Sequence, residues 1–128
     1  MAIRVVRLGS PRAEGEGLRL GTVRRPPRGV PKAEFASRDY YDVWMPLLSP
    51  EPETVQAWLN APDEAALAAC RKRFIAQMKE PEAARLLDFL AALSHQSNFS
   101  VGCYCANPAR CHRTVLRNIL SARGAVIE

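Results

Sequence analysis

Apolar residues recur along this chain at two spacings, and each spacing predicts a different kind of element. The β-prone run at residues 2–8 predicts a first strand, although two arginines break its strict alternation. Residues 40–48 are β-prone up to Pro46, so they predict a short strand near a sheet edge. The mostly apolar run at residues 99–105 predicts a strand that is buried on both faces if it is central. Residues 9–32 are rich in Gly, Pro and Arg and predict a long loop, of the kind that is usually functional or mobile.

Four other stretches carry apolar residues at helical spacing. The segment Ser49-Pro50-Glu51 predicts the start of a short helix that ends at about Leu59, and Asp63 predicts the N-cap of a second helix. A third helix is predicted to restart at Pro81, and a fourth follows the 99–105 strand. The apolar stripes of the last three helices are Leu67, Cys70, Phe74 and Met78; Ala83, Leu86, Leu87, Leu90 and Leu93; and Val115, Leu116, Ile119 and Leu120. Gly124 is predicted to end the fourth helix, and residues 125–127 predict a last short strand.

Length and composition narrow the class of protein. At 128 residues the chain is expected to form one domain over residues 1–128, and its 48% hydrophobic and 24% charged residues are typical of a soluble globular protein. The N-terminus does not resemble a signal peptide, and no run of 18 apolar residues exists, so a cytoplasmic location without a membrane partner is expected. Thiols there are normally reduced, which favours core, reactive or metal-binding cysteines over disulfides.

The formal net charge of +5 favours anionic partners in general. A solvated basic surface explains this charge equally well, and no zinc-finger spacing, aromatic RNA-binding pattern or basic region with heptads is found. Charge alone therefore indicates no specific nucleic-acid site.

The chemistry of the chain is concentrated in residues 101–113, with the sequence Val-Gly-Cys-Tyr-Cys-Ala-Asn-Pro-Ala-Arg-Cys-His-Arg. The pattern predicts a strand end, a tight loop and a helix start, and ligands usually bind at that place in an α/β fold. The helix is predicted to begin either at Asn107-Pro108 or nearer Cys111. Free backbone amides there, together with Arg110 and Arg113, favour an anion and lower the pKa of a nearby thiol.

Three other interpretations of this cluster compete with an anion-binding site. Zinc would use Cys103, Cys105, Cys111 and His112, but the spacing is unusual and two neighbouring residues would have to turn to one ion. Redox chemistry is disfavoured because a single residue separates Cys103 from Cys105, whereas two residues separate the cysteines of thioredoxin-like motifs. A purely structural role is favoured for Cys103.

The segment Cys103–Arg113, followed by an amphipathic helix, resembles the C-terminal signature of domain-of-unknown-function family 488, which ends in Cys-His-Arg. The stretch Arg25-Pro-Pro-Arg-Gly-Val-Pro-Lys32 is similar to that family's Trp-Pro-Arg-Gly-Val-x-Lys loop, with Pro26 in the place of the usual Trp. Ala106 and Asn107 stand where relatives carry an acidic residue. The resemblance implies an α/β fold: a single compact layered domain with a small, mostly parallel sheet flanked by helices. It implies no particular reaction.

The two matching polar motifs lead to the hypothesis of one pocket for phosphate or carboxylate. Its expected anion-binding residues are Arg28, Lys32, Arg110 and Arg113. Its candidate catalytic residues are Cys105, Cys111 and His112, with the histidine as proton donor or acceptor and one of the cysteines as nucleophile. No cofactor and no bound metal are expected.

The expected partner is an anionic small molecule or a nucleotide, and the expected function is binding of that ligand. The sequence leaves open whether Cys- and His-dependent hydrolysis or group transfer follows. Two alternatives remain open. One is a non-catalytic nucleic-acid or protein-binding module that uses the arginines of residues 19–38, and the other is a structural zinc site. The sequence does not determine the oligomeric state.

Overall fold

A four-stranded, fully parallel sheet lies at the centre of the structure, a computed structural model that describes residues 1–107 and 111–128. The strands are β1 (Ile3–Arg7), β2 (Leu18–Gly21), β3 (Val43–Trp44) and β4 (Phe99–Cys103), in the spatial order β1-β4-β2-β3. The strands predicted at residues 2–8 and 99–105 and the short edge strand predicted within residues 40–48 are confirmed. The expected strand at residues 125–127 is reduced to one parallel bridge between Ile3 and Ile127.

Four α-helices flank the sheet, which confirms the α/β class. They are α1 (Pro52–Leu59), α2 (Glu64–Met78), α3 (Pro81–Leu93) and α4 (His112–Ala122), and two short 3-10 helices span Lys32–Glu34 and Pro46–Leu48. The Asp63 carboxylate caps α2 by accepting a hydrogen bond from the Ala66 amide, as the sequence predicts. None of the described helices is long and apolar enough to cross a lipid bilayer.

The main core lies between the helices and one face of the sheet. Phe99 and Val101 of β4 alternate onto this face together with Ile3 and Leu20 of the neighbouring strands. The helices contribute the predicted stripes, of which the buried members are Leu67, Cys70, Phe74, Met78, Ala83, Leu87, Leu90, Val115, Leu116 and Leu120. Cys70 is therefore a core residue.

The other face of the sheet is covered by the long connections and holds a buried ion pair. The Arg19 side chain is fully buried and donates to the Glu16 carboxylate from Nε at 2.8 Å and from Nη2 at 3.0 Å. Its Nη1 donates to the carbonyls of Ser10 and Asp39, and Ser100 donates to Glu16 from β4. The prediction of a loop over residues 9–32 is wrong at β2, because pairing with β4 and this ion pair hold Arg19 inside the sheet.

Glu16 is expected to make stability depend on pH in the acid range. Burial alone raises the pKa of Glu16, but hydrogen bonds from Arg19, Ser100 and Ala13 outweigh it and lower the pKa from 4.5 to about 2. Because the pKa is lower in the folded state, the stabilisation is complete above about pH 4.5 and is lost as the pH falls toward 2. Urea unfolding at several pH values is expected to show that wild type loses more stability over this window than Glu16→Gln; parallel losses would contradict the assignment.

Candidate functional site

The carboxyl ends of the parallel strands meet at one edge of the sheet, and the chemistry-bearing residues gather there. β1 ends at Arg7, β2 is followed directly by Thr22, and β4 ends at Cys103. The N-terminus of α4 lies at the same edge, since His112 Nε2 lies 2.7 Å from the Thr22 carbonyl oxygen. The structure thus begins α4 beside Cys111, the later of the two predicted starts.

The His112 ring is held in one protonation state by its surroundings. The Thr22 carbonyl can only accept a hydrogen bond, so Nε2 of the neutral ring carries the proton and Nδ1 has a free lone pair. Burial lowers the pKa of His112 to about 4; the Thr22 carbonyl opposes this effect and Arg113 adds to it. The ring also packs edge-to-face on Phe74, with 5.4 Å between ring centroids. A fixed, neutral imidazole with an available Nδ1 can serve as a base or as a metal ligand.

The side chains of Cys103, Cys111 and His112 converge at one place. Cys111 Sγ lies 3.8 Å from His112 Nδ1, and the ligating atoms of Cys103, Cys111 and His112 all lie within 4.8 Å of one another. The sulfurs of Cys103 and Cys111 are in contact as a disulfide pair, whereas the sequence predicts reduced thiols. Cys105 carries a free, half-buried thiol and is not a member of this cluster.

Arg113 interacts electrostatically with Cys105 and Arg7. Its side chain is buried, at 7% exposure, whereas Arg117, one helical turn further along α4, is exposed. Burial lowers the pKa of Arg113, the Cys105 thiol opposes this effect, and the positive charge of Arg7 adds to it. Burial raises the pKa of the Cys105 thiol, while both guanidinium groups act in the opposite direction. Two positive charges and a thiol therefore share one electrostatic environment.

The remaining predicted anion-binding residues are Arg28, Lys32 and Arg110. Arg28 and Lys32 are exposed, and Arg110 lies outside the described residues. The loop that contains Arg28 does approach the strand end, because the Tyr104 hydroxyl donates to the Arg25 carbonyl at 2.7 Å. Whether these side chains share one pocket with Arg113 stays a prediction.

Two cavities adjoin this edge of the sheet. A small one of about 30 Å³ is lined by Pro50, Val55, Trp58, Leu59, Cys105, Cys111 and His112. A larger one of about 370 Å³ is lined by Pro26, Lys32, Ala33, Phe35, Ala36, Tyr41, Asp42 and Trp44. The larger cavity is mainly apolar and contains none of the candidate catalytic residues, so we place the chemistry at the smaller one.

Three residues of this site are absent from the sequence-based prediction. Thr22 and Trp58 come from distant segments and carry no motif. Arg7 could have been found, because it ends a strand predicted to be parallel, and such ends share one edge.

The chain matches one family model, described as the active DUF488-N3 subclade, over residues 3–124. No curated protein and no solved structure matches the chain significantly. The match covers nearly the whole chain, including both polar motifs, and agrees with the family resemblance of the sequence.

Proposed function

The chain belongs to the active DUF488-N3 subclade, and from this membership and the geometry of the sheet edge we propose that it binds a phosphate- or carboxylate-bearing small molecule, such as a nucleotide. The Cys–His centre beside that position then carries out hydrolysis or group transfer on the bound molecule.

One observation carries the proposal: Arg113 is a buried guanidinium without a carboxylate partner among the described residues. A buried charge is costly unless an opposite charge or several hydrogen bonds compensate it. Arg7 adds a second positive charge and also pairs with no described carboxylate; its Nε donates to the Tyr104 carbonyl. An anionic group between these two arginines would supply the missing compensation.

In the reduced protein, the Cys–His pair is arranged to move one proton. Cys111 is the N-cap residue of α4, where the positive end of the helix favours a thiolate. His112 Nδ1 can accept the thiol proton, and the Cys111 sulfur then attacks the electrophilic atom next to the bound anion. The bond to the leaving group breaks, and His112 returns the proton to that group. Water or a second acceptor afterwards takes the transferred group from the sulfur.

The basic-face alternative receives less support from the structure. Of the arginines in residues 19–38, Arg19 is fully buried and paired with Glu16. Arg24 donates to the carbonyls of Pro50 and Ser49. Both guanidinium groups are thereby engaged within the protein and do not form part of an open phosphate-binding surface.

The anion site is tested by calorimetric titration with inorganic phosphate and a nucleoside monophosphate. Arg113→Ala is expected to weaken binding roughly tenfold or more, because a hydrogen bond to a charged group contributes about 1.5–3 kcal/mol. Arg117→Ala removes the same charge from the exposed side of α4 and is expected to bind as wild type does. Arg113→Lys keeps the charge but lacks the planar guanidinium. Its affinity for phosphate is expected to lie between those of Arg113→Ala and wild type.

The chemistry is tested separately, by incubating the reduced protein with a panel of nucleotides and phosphate esters and following the products by phosphorus NMR. Cys111→Ser and His112→Asn are expected to lose about 100-fold or more in turnover while they still bind phosphate. A wild type that binds neither phosphate nor carboxylate probes, or an Arg117→Ala effect as large as that of Arg113→Ala, would contradict the proposed site.

A further inference from the structure

We propose that Cys103, Cys111 and His112 form a binding site for one thiophilic divalent cation, with Zn²⁺ as the best match. The site has three protein ligands, and its fourth position opens into the small cavity next to Trp58. The ligands are the two cysteine sulfurs and the Nδ1 atom of the histidine.

The ligand atoms already converge as such a site requires, since all three lie within 4.8 Å of one another and all three residues are buried. In such a site the sequence neighbours Cys111 and His112 must both turn to one ion. They do so because Cys111 is extended, with φ −138° and ψ 146°, while His112 is the first residue of α4. The change of backbone conformation between the two residues points both side chains to the same place.

The histidine is prepared for this role by its outer partner. A metal-bound imidazole usually donates its other ring N–H to a carbonyl or carboxylate, which fixes the ring and directs the remaining nitrogen to the ion. The Thr22 carbonyl does this for His112, at 2.7 Å from Nε2. Thr22 is held in turn by β4, because its amide and its hydroxyl both donate to the Gly102 carbonyl.

The backbone positions of the two cysteines favour an ion over a covalent bond. Their Cα atoms are 7.8 Å apart, whereas a disulfide ordinarily joins Cα atoms less than about 7 Å apart. Two thiolates at metal–sulfur distances of about 2.3 Å reach a shared ion across this wider gap. The convergence of the sulfurs is therefore better explained by a common ligand than by a direct bond.

The cavity explains why the site needs no fourth protein ligand. Its volume of about 30 Å³ suits a single small molecule, and Cys111 and His112 both line it. Trp58 lines it too, and its buried Nε1–H has no hydrogen-bond acceptor among the described residues. Buried donors are rarely left unsatisfied. A water or a small anion bound to the ion would supply the acceptor, and three protein ligands with an open position are typical of catalytic zinc sites.

The cation site does not depend on the proposed anion site. Its test measures metal content and spectra, whereas the anion site is tested by phosphate binding to Arg113. If both are correct, Cys111 binds the ion, and the reactive position moves from its sulfur to the fourth position beside the bound anion.

The first experiment uses the wild-type chain, purified under reducing conditions, with metal analysis and Co²⁺ substitution. About one zinc ion per chain is expected. Co²⁺ is expected to give the visible bands of a tetrahedral ion and strong thiolate-to-metal absorption, and added azide is expected to change the visible bands by entering the open position.

Two matched variants identify the ligands. Cys111→Ser is expected to weaken Co²⁺ binding by at least tenfold and to remove part of the thiolate absorption. Cys105→Ser removes a thiol from the same loop but outside the cluster, and it is expected to leave the metal content and the spectrum unchanged. If Cys111→Ser does not fold, alkylation of wild type before and after chelation replaces it: metal is expected to protect Cys103 and Cys111 but not Cys105.

Three results would overturn the proposal. The first is a reduced wild type that takes up neither zinc nor Co²⁺. The second is a metal-free protein that is lighter by two hydrogens and has Cys103 and Cys111 linked under the same conditions. The third is a Co²⁺ spectrum that does not respond to azide and loses thiolate absorption in Cys105→Ser, which would make Cys105 the fourth ligand.

Discussion

Glu16→Gln is expected to lower the free energy of unfolding by about 3–5 kcal/mol, because it leaves the buried Arg19 charge without its counterion. The variant keeps the shape of the side chain but replaces one acceptor oxygen with a donor. That donor would face the Arg19 guanidinium or the Ser100 hydroxyl, both of which now donate to Glu16. A loss of this size is a large share of the total stability of an ordinary domain, which is about 5–15 kcal/mol.

Urea unfolding followed by circular dichroism measures this loss, and the chain supplies a matched control. Glu128 pairs with Arg4 at 2.7 Å at the surface, where the two side chains are 54% and 35% exposed. Glu128→Gln makes the same chemical change in water and is expected to cost less than about 1 kcal/mol. Equal losses for the two variants would show that burial of the Glu16–Arg19 pair does not determine its contribution.

The helices and the central strand could be predicted from the sequence because their signals are local. The stripes of α2, α3 and α4 repeat at helical spacing, and β4 is a mostly apolar run in which Ser100 is the one polar residue. The predicted start of α1 is two residues early. Both Pro50 and Pro52 suit a first helical position, and the Ser49 carbonyl is instead engaged by Arg24 and Gln77.

β2 could not be predicted, because its four residues include an arginine and a glycine that are typical of a loop. Its place depends on contacts that are distant in sequence: parallel pairing with β4 and the ion pair beneath it. Tertiary contacts override local propensity in such a segment.

The candidate site was predictable to the extent that its residues are consecutive. Cys111, His112 and Arg113 form one motif, and they lie at the predicted edge of the sheet. Their partners Thr22 and Trp58 come from elsewhere in the chain, so a one-dimensional pattern does not reveal them. The partners also change the chemistry that we assign, since Thr22 selects the histidine nitrogen that is free and Trp58 indicates an occupant of the cavity.

Gly17→Ala is expected to destabilise the fold by about 3 kcal/mol or more, for two reasons that add. Gly17 has φ +81°, where a side chain costs about 1–2 kcal/mol. A Cβ atom there would also lie 2.0 Å from the Asn98 carbonyl oxygen, so the backbone leading into β4 would have to move. Overpacking of this kind typically costs a further 1–3 kcal/mol, roughly.

Gly15→Ala separates the two reasons, because Gly15 has a similar φ of +72° but no atom within 4 Å of an added Cβ. It is expected to cost only about 1–2 kcal/mol in the same urea unfolding assay, and equal losses at the two glycines would contradict the role of the Asn98 contact. Glu16 lies between these glycines, so a displaced Gly17 also displaces the carboxylate that compensates Arg19. The double variant Glu16→Gln with Gly17→Ala should therefore lose less stability than the sum of the single variants, since both weaken the same buried ion pair.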